Sequence, residues 1–305
     1  MISQRNLKKH ATGYLLVALA SGAAFAQETF TAHPSTQDPA VKVTLDTLKR
    51  WESELSNWGR WGPSDQRGTL NLITPEKTRQ AAALVQVGET VTLQHFVTEE
   101  KSLDSQSFGP TEHWMSRIDP VTGEPSFALD EIQFSLHDGM LSHIDALCHY
   151  RSEVDGKYVI FNGYPQNLTA TGCEDLGIDR MGTSYVTRGI LVDIPLMRGV
   201  DWLEPSTPIY VEDLLAWEEF AGVKISSGDA LFVRTGRWER RDALGPWQYG
   251  QGGAGLHASV LPFLKERDVA MLIGRNGFTS ASGGVIDVNG IRVFAYHGCL
   301  EEEAR

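Results

Sequence analysis

Within seven residues the chain carries His143, Asp145 and His149, two imidazoles and a carboxylate. These are donors that zinc and manganese both accept. On an extended segment His143 and Asp145, two apart, leave the backbone on the same side. Asp145 and His149, four apart, share a face where the chain turns helical. A strand ending at His143 and a helix beginning at Asp145 therefore bring all three to one point, which predicts a metal site. The plain alternative is a capping aspartate beside two ordinary histidines.

The elements that must position these groups can be read from periodicity and turn residues. Apolar residues at helical spacing occupy 43–55. Residues 58–73, rich in Gly and turn formers, form an irregular loop. Thr74-Pro75-Glu76 then combines a capping Thr, a Pro at the first turn and an acid at the positive dipole end, predicting a helix to Val87 with Gly88 as its stop. Residues 89–97 alternate as a strand should. Residues 98–124 are polar without clear period, a candidate substrate lid or oligomer contact. A short strand is expected at 132–136, leading into the His/Asp segment. Further strands are expected at 189–194, 230–234 and 269–273, and helices at 211–220 and 256–266. Interleaved strands and helices without repeats or a clear linker give a mixed α/β fold in one domain.

The first 26 residues combine Lys8 and Lys9, an apolar run over 14–20 and an A-x-A sequence at Ala24-Phe25-Ala26. That pattern is a secretory signal peptide, predicting a periplasmic or secreted protein of residues 27–305. Residues 27–40, polar with two prolines, form an extended arm. The mature chain has 24 basic and 39 acidic side chains, a net charge of −15. Such a polyanion is a poor partner for nucleic acid or for an anionic membrane surface. No later stretch approaches the ~20 apolar residues that span a bilayer. Three cysteines, Cys148, Cys173 and Cys299, do not suggest a disulfide scaffold. One pair is possible, with nothing to choose among them, and a buried small hydrophobe is the default for each.

Ser142-His143-Ile144-Asp145-Ala146-Leu147-Cys148-His149 resembles the (Ser/Thr)-His-x-Asp-x-x-x-His core of the cyclase family, metal-dependent hydrolases that include bacterial kynurenine formamidase and isatin hydrolase. Trp61-Gly62, Asp65 and the run Gly68-Thr69-Leu70-Asn71-Leu72-Ile73-Thr74-Pro75-Glu76 resemble the family's N-terminal signature. Lys157-Tyr158, Phe161-Asn162-Gly163-Tyr164-Pro165, Arg234-Thr235-Gly236-Arg237-Trp238 and Ala254-Gly255-Leu256-His257-Ala258-Ser259 resemble later segments. The resemblance implies a swivelling β/β/α fold, a divalent Zn or Mn, and His143 and Asp145 as metal ligands. It makes His149 a general acid/base and His257, at a predicted helix start, a candidate distal ligand. It also implies a small-molecule substrate, an aromatic or cyclic amide, and a homo-oligomer.

Two departures stand out. The family's usual upstream histidine is replaced by Gly139, and Leu141 stands where a Gly is usual. His137, six before His143, is the substitute ligand if the backbone bulges near Gly139. Near the C-terminus, Ile273-Gly274-Arg275-Asn276 stands where shorter members carry an acidic ligand. There Asn276 offers a neutral oxygen and Arg275 a partner for a carboxylate product. The chain ends at Arg305, sooner than expected for the longer members, consistent with a truncated or divergent tail.

The expected chemistry is hydrolysis of an amide-type carbonyl, with Phe108 and Trp114 available to stack on a ring. A nucleotide site is hinted at by Gly250-Gln251-Gly252-Gly253-Ala254-Gly255, but no strand precedes it and Arg275 replaces the acid expected about 20 residues on. No G-x-S-x-G elbow supports a serine hydrolase. The runner-up is an exported, non-catalytic small-molecule binding protein on a degraded site, motivated by Gly139.

Overall fold

The computed structural model describes residues 43–92, 101–104, 111–116, 121–122, 124, 129–135, 143–182, 184–247, 253–274, 285–288 and 291–294. The leader, His137, Gly139, Leu141, Ser142, Phe108, Gly250, Gly252, Arg275, Asn276 and Cys299 lie outside them. The frame is a three-stranded parallel sheet. Ala230–Arg234 is its centre, flanked by Gly189–Asp193 and Met271–Ile273. Ile190 pairs with Leu231 and Val192 with Val233, all buried, while Leu191 turns to the other, exposed face. That alternation is what a half-buried strand requires.

Helices Ile194–Arg198 and Val211–Ala221 separate the first two strands in sequence, and Arg237–Leu244 and Leu261–Glu266 the second and third. Leu214, Leu261 and Leu264 from these helices are fully buried with Leu231 and Val192 in the main core. The first strand ends before Ile194 because the Asp193 carboxylate caps the next helix, accepting from the Leu196 amide at 3.0 Å. The helix expected at 256–266 is split. Gly255–Leu256 pairs with Pro208–Ile209, a 3-10 turn spans Ala258–Val260, and Pro262 opens the α-helix proper.

At the N-terminal side, Leu45–Glu54 buries Leu48 and Trp51, close to the expected span. Pro75–Ala82 begins as expected, with Thr74 Oγ1 accepting from the Lys77 amide at 3.1 Å. It stops before Val87. Val85 and Val87 are 70% and 80% exposed, so no burial rewards further turns. Residues 89–92 form no strand, and 93–97, the rest of the one expected, lie outside the described residues.

The aperiodic segment gives a correction. It contributes Glu112–Ser116, which pairs antiparallel with Leu129–Gln133, three residues upstream of the strand expected at 132–136. Leu129, Ile132, Trp114 and Phe134 are all exposed. With neither face buried there is no alternation to read. Asp104, completely buried, anchors the segment to Arg237–Leu244. Its carboxylate accepts from Ser102 Oγ at 2.7 Å, Arg237 at 2.9 Å and Arg241 at 3.0 Å.

All described residues lie within one unit, Ala32–Arg305, so the mixed α/β architecture expected from the sequence holds. Among them no helix is long and apolar enough to cross a membrane.

Gly236, between the central strand and its following helix, adopts φ +75°. A Cβ there would collide with the Asp201 carbonyl and lie 2.6 Å from Trp202 Cα. Left-handed backbone and overpacking together make Gly236→Ala cost about 2–4 kcal/mol, to be read from the denaturant midpoint.

Candidate metal centre

Residues 143–146 carry no regular structure, and Leu147–His149 makes one 3-10 turn behind Ala146 at φ −75°, ψ 150°. The expected strand-to-helix switch is thus an irregular piece followed by one tight turn. The convergence is pairwise, on one oxygen of Asp145. His149 Nδ1 lies 3.3 Å from Asp145 Oδ1, and His143 Nε2 lies 3.5 Å from the same oxygen. All three side chains are between 22% and 38% exposed, reachable by solvent yet partly walled in.

The floor beneath them is a second core. Ala146, Leu147 and Cys148 are buried against Ile160, Phe161 and Leu176, with Trp58 and Tyr164 at the margin. The Cys148 amide donates to the Leu176 carbonyl at 3.2 Å, and Gln166 Nε2 donates to the Cys148 carbonyl at 3.0 Å. Cys148 and Cys173 are joined by a disulfide, a pairing the sequence left open.

Asn162 stitches this floor to the N-terminal loop. At φ +63° its amide nitrogen donates to the carbonyls of Gly62, Pro63 and Asp65, while Oδ1 accepts from the Gly59 amide at 2.6 Å. Asp65 in turn accepts from the Gly68 amide at 2.9 Å and from Asn71 Nδ2 at 2.7 Å. The Asn162-Gly163 pair is a readable turn signal, since Asn tolerates left-handed backbone. Its partners a hundred residues upstream are not readable.

His257 sits apart from these elements in the chain, capping Ala258–Val260. Its amide donates to the Ile209 carbonyl, its ring meets Tyr210 edge-on at 5.0 Å, and burial lowers its pKa. Nδ1 accepts from the Ser259 amide at 3.1 Å. A neutral ring accepting at Nδ1 carries its proton on Nε2. A histidine ligating a metal through Nε2 donates at Nδ1 instead. In this arrangement the Nδ1 of His257 caps the Ala258–Val260 turn, which leaves Nε2 as the ring nitrogen through which it would have to reach an ion. His137 lies outside the described residues.

Tetrahedral bonds of 2.0–2.2 Å place neighbouring ligand atoms about 3.3–3.6 Å apart. The contacts from Asp145 Oδ1 to His143 and to His149 fall in that range. Among the described residues, however, no three His, Cys, Asp or Glu side chains are disposed to share an ion. The pairwise chemistry fits, and a complete shell needs a further donor.

The Cyclase family model matches residues 69–276. The chain belongs to the Cyclase family. The match spans His143, Asp145, His149 and His257. A crystal structure described as that of a novel cyclase superposes with a TM-score of 0.66 at 27% identity, covering 83% of this chain and 89% of the other. No curated protein matches the chain. The cyclase-family fold expected from the motifs is therefore the fold found, and the family suggests an enzyme.

Proposed function

We propose that this cyclase-family protein is a metal-dependent hydrolase of amide-type bonds, cleaving an arylformamide or opening a cyclic amide or imide. The observation that carries the reading is the meeting of His143 and His149 on one oxygen of Asp145. His143 and Asp145 would hold the divalent ion, Zn or Mn, with His137 a candidate for the missing donor. When bound, such an ion supplies Lewis-acid polarisation of a carbonyl and lowers the pKa of water.

The remaining work falls to His149. Asp145 lies at its Nδ1, fixing the ring and leaving Nε2 on the opposite edge of the imidazole. From there it accepts a proton from the attacking water and delivers it to the departing nitrogen. The hydrophobic floor under Leu147 and Cys148 keeps the turn from drifting as charge moves.

Export to the periplasm or beyond is part of the proposal. The Cys148–Cys173 disulfide supports it, because such bonds persist in oxidising compartments. A homo-oligomer acting on a small aromatic or cyclic amide completes the reading.

Purified mature protein, reconstituted with Zn or Mn, is expected to retain close to one equivalent; less than about 0.2 would sink the metal reading. A panel of arylformamides, lactams and imides then identifies the substrate. His149→Ala is expected to lower turnover at least about tenfold while metal content stays constant. Unchanged turnover would remove its proton-transfer role. Tight ligand binding with no turnover and no metal would instead favour a binding protein, the reading that Gly139 motivates.

A further inference from the structure

The Cys148–Cys173 disulfide lies within the site segment itself. Cys148 is the middle residue of the turn Leu147–His149, three after Asp145 and one before His149. Its side chain is completely buried. Cys173 ends the short hairpin formed by Leu168–Thr169 and Gly172–Cys173. Three residues further on, the Leu176 amide donates to Gln66 Oε1 at 2.8 Å, so this side of the site is tied to the N-terminal loop.

A lone 3-10 turn has no helical stability of its own. Among the described residues, the contacts that hold the turn include a small apolar cluster, two hydrogen bonds at Cys148 and one covalent link. Only the covalent link is independent of water competing for it. Residues 143–146 carry no regular structure, so among the described residues the turn is the ordered element next to Asp145 in the chain.

We propose that Cys148 and Cys173 are positioning residues, whose disulfide fixes the Leu147–His149 turn and with it the approach of His149 to Asp145, so that the site becomes competent only in oxidising surroundings. The proposal rests on the reading of His143, Asp145 and His149 as the site. Closure is a balanced exchange with an external disulfide, such as oxidised glutathione or a protein dithiol oxidase. The thiolate of one cysteine attacks that disulfide and expels a thiolate. The second cysteine's thiolate then displaces the other. The two cysteines lose two protons and two electrons, and the external disulfide leaves as two thiols.

The test compares the oxidised mature protein, the same protein reduced with a phosphine, and the Cys148→Ala/Cys173→Ala double variant. Hydrogen exchange is followed over residues 143–150 and over the central strand, and zinc affinity by chelator competition. Reduction is expected to speed exchange over 143–150 at least about tenfold while the central strand keeps its protection. Zinc affinity is expected to fall about tenfold or more, and oxidised glutathione to restore both in the wild type but not in the double variant.

Unchanged exchange over 143–150 in both altered forms would overturn the proposal. So would joint loss of protection in the site and the sheet, which would make the disulfide a staple of the whole fold. If the oxidised protein binds no zinc, the metal reading fails on its own, and the exchange comparison still decides the disulfide's role.

Discussion

Replacing Asp145 by Asn is expected to lower turnover at least about 10³-fold. Two roles meet on one oxygen. Asp145 Oδ1 lies 3.5 Å from His143 Nε2, so loss of its charge weakens any ion that the pair holds. The same oxygen lies 3.3 Å from His149 Nδ1, so an amide there disturbs both the tautomer and the orientation of the ring proposed to carry the proton. Removing the carboxylate of a histidine–aspartate pair typically costs about 10⁴ in rate even when the geometry survives. Asp145 is partly exposed, so the variant should fold. Its melting temperature is expected to stay within a few degrees of wild type, about 1 kcal/mol. Bound zinc should drop in parallel with turnover. Turnover within tenfold of wild type, on whichever panel compound is hydrolysed, would remove Asp145 from the site.

The second large effect concerns stability. Asp229 precedes the central strand, and its side chain is completely buried against Lys77 at 2.5 Å and Arg188 at 2.6 Å. Ser226 adds its amide at 2.8 Å. Burial alone would push this carboxyl up. The hydrogen bonds from Arg188, Lys77 and Ser226 outweigh it and hold the pKa below the ordinary range. Asp229→Ala would leave Lys77, also largely buried, facing Arg188 with no counter-charge. Breaking one side of a buried pair costs about 3–5 kcal/mol. At about 2–4 °C per kcal/mol for a domain near this size, the melting temperature should fall roughly 6–20 °C.

The pH dependence follows in sign. A carboxyl whose pKa is lower in the folded than in the unfolded chain stabilises the fold fully above the unfolded value, about 3.9. That contribution is lost as pH falls through the folded value. Asp104 and Asp268 are lowered in the same sense, Asp104 against its own burial and Asp268 chiefly by its hydrogen bonds from Arg60. Acid unfolding monitored by circular dichroism should therefore begin below about pH 4, and in Asp229→Ala the slope there should be shallower. A variant as stable as wild type at pH 7 would refute the assignment.

What the sequence makes legible follows from how local each signal is. Thr74-Pro75 marks a helix start because a cap and a fixed φ act within four residues. Ala230–Arg234 is found because a sheet centre is apolar whatever covers it. His143, Asp145 and His149 are found because their meeting needs only seven residues of chain. The exposed hairpin Glu112–Ser116 with Leu129–Gln133 is not found, since the periodic signal of a strand is burial on one face. The disulfide is not found either: three cysteines allow three pairings, and only tertiary packing selects Cys148 with Cys173. The bond from the Ser259 amide to His257 Nδ1 is set by cap geometry, which no spacing rule anticipates.

Asp104 sets a rule for grafting. It stands at the head of the stretch that bears the exposed hairpin, and its carboxylate is shared by Arg237 and Arg241, more than 130 residues away. The hairpin cannot therefore be exchanged as a free-standing module. A chimaera that imports this stretch from a relative with a neutral residue at 104 would strip two guanidinium groups of their common anion inside the protein. A graft that carries 104, 237 and 241 together transfers the hairpin with this anchorage.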